Sequence, residues 1–357
     1  MEGPGVTFFP LPDYLGPVGY ARCLRELKAG VRAAVAHADA FLLRSPGAIP
    51  NLVYENLSET NRPYGVEVLS DPGTVFSPKS IRTPLRPLFR HTLTRMLRNH
   101  CRDAAAVLYV TERALQKLYP IRDGAYEIGC SDVDLTSGFA NEQLMSQRAM
   151  RLQESCNGKR PLRIGFVGTL AQHYKGPDVL LEALACCSRA GMQFVASVAG
   201  DGRFKHSLET YANKLGLGSN VKFLGALPSG MAVIDFLDST DLFLLPSRAE
   251  GLPRALVEAM SRGCACISTD VCGIPELLPP EALVRVGDSR ALADRILKWA
   301  SDVELMQRMA ALNVDVARRY APDVLSKRHE EFLQELKNRS RQAVVREGWL
   351  KSSECSS

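Results

Sequence analysis

The sequence predicts an α/β chain of two domains with parallel sheets, the second complete and doubly wound. Three observations lead there. Short apolar runs alternate with longer amphipathic stretches along the chain, the pattern of strands joined by crossover helices. The 357 residues accommodate about two domains at roughly 100–200 residues each. Around residues 155–161 (SCNGKRP) the chain turns polar and Gly/Pro-containing, as a linker between domains does. The expected division is 1–155, then 162–337, then a tail at 338–357 whose Ser-rich end, 351–357, reads as frayed.

In the first part the spacing predicts strands at 6–9, 40–43, 65–69 and 105–110, with a helix over 18–38. The second part predicts six strands, at 162–167, 193–199, 221–223, 241–245, 264–268 and 282–286. Helices at 177–190, 205–215 and 253–262 fall between them, and a further helix at 324–337 follows Pro322. Six strands with intervening helices make a doubly wound domain.

Composition excludes several classes. A chain 46% hydrophobic and 23% charged is neither disordered, collagenous nor disulfide-stapled. A net charge of +5 over this length is too weak to imply nucleic-acid binding. The first thirty residues show no basic segment followed by an apolar one, so no secretory signal is read. No run approaches the roughly 18–20 apolar residues of a membrane span. The ten cysteines form no CxxC or zinc spacing and read as reduced, small apolar residues of a cytoplasmic protein.

The most informative segment begins at Pro246. An apolar strand runs into a Pro/Ser/Gly loop and then a helix, with Pro253 suited to its first turn and Gly263 placed to end it. Open α/β sheets bind ligands at the carboxyl ends of their strands, where helix N-termini meet anions. Glu250 lies in this loop and Glu258 about one and a half turns into the helix. Two carboxylates repel phosphate at close range, so they suit neutral hydroxyls; one carboxylate accepts from two vicinal sugar hydroxyls at once. Spacing alone equally allows Glu258 to be a solvated helix residue and Glu250 a loop acid.

Residues 250–278 (EGLPRALVEAMSRGCACISTDVCGIPELL) resemble the donor-site signature of the retaining glycosyltransferases of the glycosyl transferases group 1, or GT4, family, which have two Rossmann-like domains (GT-B). The resemblance covers roughly residues 162–332 and includes GFVGTL with the KG pair at 165–176, VAGDG at 198–202, VKFLG at 221–225 and DLFLLPS at 241–247. It implies that Glu258 holds the nucleotide ribose and that Glu250 lies by the donor sugar. Lys175 then neutralises the departing diphosphate, a group that gathers negative charge as the glycosidic bond breaks. Gly168, Thr169, Gly251, Leu252 and Arg254 complete the implied donor contacts. Many members carry an arginine where this chain has Thr169, so charge stabilisation leans on Lys175, with Arg248 or Arg254 as helpers. A donor phosphate oxygen is implied to take the acceptor's proton, so no enzyme base is required. No metal and no cofactor are expected, the nucleotide-diphosphate sugar being the substrate. His173 reads as a polar loop residue. The Asp132-Val133-Asp134 triplet lies outside the donor motifs and is set aside as a metal site, as are the GxG fragments at 200–202 and 216–218.

The net charge conceals a basic segment. Residues 79–122 hold ten basic side chains and two acids, a charge of +8. Arg86, Arg90, Arg95 and Arg98 lie on a helical pattern opposite Leu85, Leu88, Phe89, Leu93, Met96 and Leu97. Such a helix is either a solvated face over a packed core or a candidate contact with an anionic membrane. The resemblance implies a saccharide or polyprenyl-linked acceptor, bound by the first domain at the cytoplasmic face of a membrane. The first domain lacks a match to the family's opening strand and glycine-rich loop, as though one or two β/α units were missing. The reading is a retaining transferase of surface polysaccharide or glycolipid assembly. The rivals are a non-catalytic nucleotide-sugar-binding or partner protein and, less well matched, a sugar-nucleotide epimerase.

Overall fold

The computed structural model describes residues 7–59, 62–78, 80–81 and 83–354, with side chains to residue 342. In chain order the first part holds α1 (Gly16–Ala36), β1 (Leu42–Ser45), α2 (Ala48–Glu59), β2 (Gly65–Val68), α3 (Pro72–Val75), α4 (Arg86–Asp103), β3 (Ala106–Tyr109), α5 (Ala114–Leu118), β4 (Tyr126–Gly129) and α6 (Glu142–Cys156). The second holds β5 (Leu162–Val167), α7 (Pro177–Arg189), β6 (Phe194–Ala199), α8 (Lys205–Lys214), β7 (Val221–Gly225), α9 (Met231–Ser239), β8 (Leu242–Leu245), α10 (Arg254–Ser261), β9 (Ala265–Thr269), β10 (Leu283–Val284), α11 (Ser289–Ala300), α12 (Val303–Ala317) and α13 (Pro322–Glu354).

Two parallel sheets result. The first is four-stranded in the order β1-β2-β3-β4; the second is six-stranded in the order β10-β9-β8-β5-β6-β7. Only the second reverses direction, between β5 and β8, and its centre is the most apolar part of the chain. Every residue of β8 and β9 is buried, as continuous apolar strands covered on both faces must be.

Four expectations need correction. No strand forms at 6–9: Val6 lies outside the described residues, and Thr7–Phe9 are irregular. The fourth strand of the first sheet is instead β4, a segment of mixed polarity whose two faces are only half-covered. The boundary at 155 places α6 with the first domain, yet this helix packs on the second. Its buried Arg148 donates to the carbonyls of Leu237 and Arg262 at 3.1 and 2.9 Å, and Arg151 reaches Asp241. The helix after Pro322 belongs to neither side alone. It runs on to Glu354, past the expected tail boundary, and crosses back beneath the first sheet. There Phe332 and Leu336 are buried against Gly65 and Glu331 accepts from the Tyr126 hydroxyl at 2.7 Å.

The domains are therefore laced together, and one continuous apolar core extends through both. Leu27, Val31 and Leu52 form a separate small cluster between α1 and α2. Across the cleft, the Glu276 carboxylate accepts the backbone N–H groups of Glu112, Arg113 and Ala114 at 2.7, 3.0 and 2.7 Å. These are free N–H groups at the start of α5, so a side chain of the second domain caps a helix of the first. No described helix is long and apolar enough to cross a membrane.

Candidate functional site

The site lies at the reversal point of the second sheet, where β5 has β6 on one side and β8 on the other. Connections leaving these strands in opposite directions open a crevice at their carboxyl ends. The chain after β5 runs through a single 3-10 turn, His173–Lys175, to Gly176, whose φ of +71° is left-handed. A Cβ on Gly176 would lie 2.0 Å from the Pro246 carbonyl oxygen, so glycine alone lets the two loops touch. Arg248 fastens them. Its guanidinium donates twice to Asp178, at 2.7 and 2.7 Å, and once to the His173 carbonyl, while its backbone N–H donates to the Tyr174 carbonyl. Burial raises the Asp178 carboxyl, but the hydrogen bonds and the charge of Arg248, with His173 and a backbone N–H, together outweigh it and leave the carboxyl below its ordinary value. Arg248 thus clasps the two loops.

This geometry brings Lys175 and Glu250 together. The Lys175 ammonium donates to both Glu250 oxygens, at 2.7 and 2.9 Å. Ser247 Oγ, fully buried, donates to Oε1 of the same carboxylate at 2.6 Å. Ser247 is itself held, because Thr269 Oγ1 donates to its carbonyl at 2.5 Å. Both charges are mostly out of water, so the removal of either would strand the other. Sequence reasoning missed Ser247. Its signal was the Pro-Ser end of the strand motif, three residues before Glu250.

Glu258, inside α10, faces a different cavity. It and Asp134 line a cavity of about 110 Å³, while Lys175, Glu250, Gly251, Leu252 and Arg254 line a neighbouring one of about 350 Å³. Burial raises the Glu258 carboxyl above its ordinary range, Arg254 opposes that, and Asp134 and Asp132 add to it. Arg254 stands one turn before Glu258, exposed and at the rim of the larger cavity. Gly168 donates its N–H to the Ala199 carbonyl at 3.0 Å, so that amide is committed to the sheet. Gly168 instead contributes space, since a Cβ there would lie 3.3 Å from Lys175 Cγ. Thr169 Oγ1 accepts the Ala171 N–H at 3.1 Å and keeps its own proton for another partner.

The first domain supplies the opposite wall, through Asp132 and Asp134. Sequence placed them outside the donor motifs. The fold brings Asp132 into the cavity of Lys175 and Glu250, and Asp134 into that of Glu258. Asp132 is tethered by Arg44 at 3.2 Å. Among the described residues no three His, Cys, Asp or Glu side chains are grouped to share a metal ion. Gly251 is where the walls meet most closely: a Cβ there would lie 1.9 Å from the Leu69 carbonyl oxygen.

A third cavity, about 950 Å³ and mostly apolar, opens beside the site. Tyr14, Tyr20, Phe76, Phe89, Leu93 and Met96 line it, and it shares Ser70 and Val75 with the cavity of Lys175. The four arginines expected to face a membrane do not enter these cavities. They flank α4 on its other side, in a groove of about 830 Å³.

Comparison with known proteins bears on this arrangement. Residues 151–312 match the family model described as "Glycosyl transferases group 1". Protein CapJ of Staphylococcus aureus is 23% identical over 294 residues, 80% of this chain and 69% of CapJ. The amylovoran biosynthesis glycosyltransferase AmsK of Erwinia amylovora is 30% identical over 187 residues, half of this chain. The chain spans 46% of AmsK's own length. Anabaena Alr3699/HepE, solved in complex with UDP and glucose, superposes with a TM-score of 0.65 at 20% identity, over 90% of this chain and 84% of that one. The fold is thus GT-B, and the chain resembles the group 1 glycosyltransferases, as its motifs indicated.

Proposed function

We propose that the chain is a retaining glycosyltransferase that moves a sugar from a nucleotide-diphosphate donor to a saccharide or lipid-linked saccharide. The observation that carries this is the meeting of Lys175 and Glu250 at the reversal point of the second sheet, with Glu258 in the adjoining cavity. A donor diphosphate competes with Glu250 for the Lys175 ammonium. Released from Lys175, Glu250 is free to accept from sugar hydroxyls while Ser247 keeps one of its oxygens in place. Glu258, ionised, accepts from two ribose hydroxyls, and Arg254 adds positive charge at the rim. As the bond from the sugar C1 to the phosphate oxygen breaks, Lys175 takes up the charge that develops on the leaving diphosphate. The acceptor oxygen bonds to C1 on the same face, and its proton passes to a phosphate oxygen.

The apolar cavity beside the site suits the lipid portion of an acceptor, and the name of AmsK, an amylovoran biosynthesis glycosyltransferase, favours polysaccharide assembly. HepE binds UDP, so UDP-sugars are the first donors to try, followed by GDP- and ADP-sugars. Nucleoside diphosphate release from these donors is expected for the wild type and is expected to fall about 10²–10³-fold in Lys175→Ala. Release unchanged in that variant would refute the assignment. Donor binding without any release would favour a nucleotide-sugar-binding protein, a reading to which the four-stranded first sheet lends weight.

A further inference from the structure

The helix α4 is partnered on one side only. Leu97, His100 and Cys101 are buried inward. One flank, with Leu88, Phe89, Leu93 and Met96, lines the apolar cavity that reaches the site of Lys175. The other flank lines the groove of about 830 Å³ with Arg86, Arg90, Arg95, Arg98 and Arg102, and no acidic residue lines it. No described carboxylate pairs with the first four of these arginines. At the N-terminal end of the helix, Leu85 and Leu88 are 51% and 60% exposed. The N-terminal end of α1 lies across the mouth of the same apolar cavity, which Tyr14, Pro17 and Tyr20 help to line. Beside them Leu15 and Val18 are 95% and 65% exposed. Two helix ends therefore present apolar tips and tyrosines around one opening, with a row of unpaired arginines immediately behind.

We infer that this edge docks on an anionic lipid bilayer. Leu15, Val18 and Leu85 enter the head-group boundary, the tyrosines sit at its polar level, and the arginine groove takes lipid phosphates. The apolar cavity then opens from the bilayer towards Lys175, so a membrane-held acceptor reaches the donor without crossing water. That last step rests on the transferase reading; the bilayer contact does not. Charge decides the occupant, because a second copy of this chain would have to bury the same arginines against its own.

The test is co-sedimentation of the full chain with phosphatidylcholine vesicles, with and without phosphatidylglycerol. The expected result is binding to the anionic vesicles only, weakening as salt rises. The double variant Arg90→Gln/Arg98→Gln is expected to lose about thirtyfold in partitioning, at about fivefold for each charge. Leu15→Ser/Leu85→Ser keeps the charge and is expected to lose at least about tenfold through lost apolar burial. All four side chains are solvent-facing, and an unchanged Tm confirms that the variants fold. Three results would overturn the inference: no binding at low salt, binding indifferent to the two leucines, or self-association that those leucines control. Thermal stabilisation of the wild type by UDP, GDP and ADP is read on the same sample. Nucleotide binding without vesicle binding refutes the docking edge and leaves the donor site standing.

Discussion

The two sheets differ in how they are built, and that decides what each can do. The second reverses direction between β5 and β8, and the crevice this opens holds Lys175 and Glu250 at hydrogen-bond distance. The first, among the described residues, runs β1 to β4 without reversal. It has no such crevice of its own and contributes walls: Asp132 and Asp134 to the donor side, α1 and α4 to the apolar side. Charge chemistry is fixed by backbone geometry in one domain. In the other, side chains on helix flanks line the apolar cavity. The cluster of Lys175, Ser247 and Glu250 is thus built within the second domain alone.

The largest effect that would break this contrast is on Glu258. Glu258→Ala is expected to lower the rate of donor consumption by at least about a hundredfold, because hydrogen bonds to a charged group contribute about 1.5–3 kcal/mol each. Lys175→Ala is expected to cost about 10²–10³ in kcat with a smaller change in KM, the signature of charge stabilised in the transition state. It also strands Glu250, so a lower Tm is expected alongside. Gly251→Ala sharpens the contrast at the interface. The added methyl must push the Leu69 carbonyl away, and a loss of about 1–3 kcal/mol in denaturant unfolding is expected. Smaller still is Glu276→Ala, which removes the cap from α5 and is expected to cost about 1 kcal/mol.

pH separates the roles further. Burial raises the Glu258 carboxyl, so its ionisation costs the empty protein stability. That cost appears as pH rises from the ordinary glutamate range through the raised value. Donor affinity moves the other way, since only the carboxylate accepts two hydroxyls. Over that window the ligand-free Tm is expected to fall with rising pH while nucleotide affinity climbs. Glu258→Gln is expected to flatten both curves, which calorimetry at several pH values would show.

The second domain was legible because its constraints are local. The apolar runs of β8 and β9, the glycines at 176 and 263 and the Glu250–Glu258 spacing each state a backbone requirement in consecutive residues. What stayed hidden crosses the cleft. Asp132 lies more than a hundred residues from Glu250, and nothing near it in sequence signals that it faces Lys175. The cap that Glu276 supplies to residues 112–114 and the packing of α6 and α13 on the opposite domain are hidden for the same reason. The pairing of Arg248 with Asp178, seventy residues apart, is likewise visible only in the fold. Leu15 and Val18 carry no pattern by themselves. Only the fold sets their neighbours Tyr14 and Pro17 on the cavity that Leu88 also lines.

The central claim is the location of the donor site, and hydrogen exchange measures that directly. Amide exchange of the full chain would be followed with and without the nucleoside diphosphate that stabilises it best. The expected result is protection in residues 168–176 and 246–258, with residues 86–98 unchanged. Protection confined to the first domain, with the loops after β5 and β8 exchanging as before, would contradict the account.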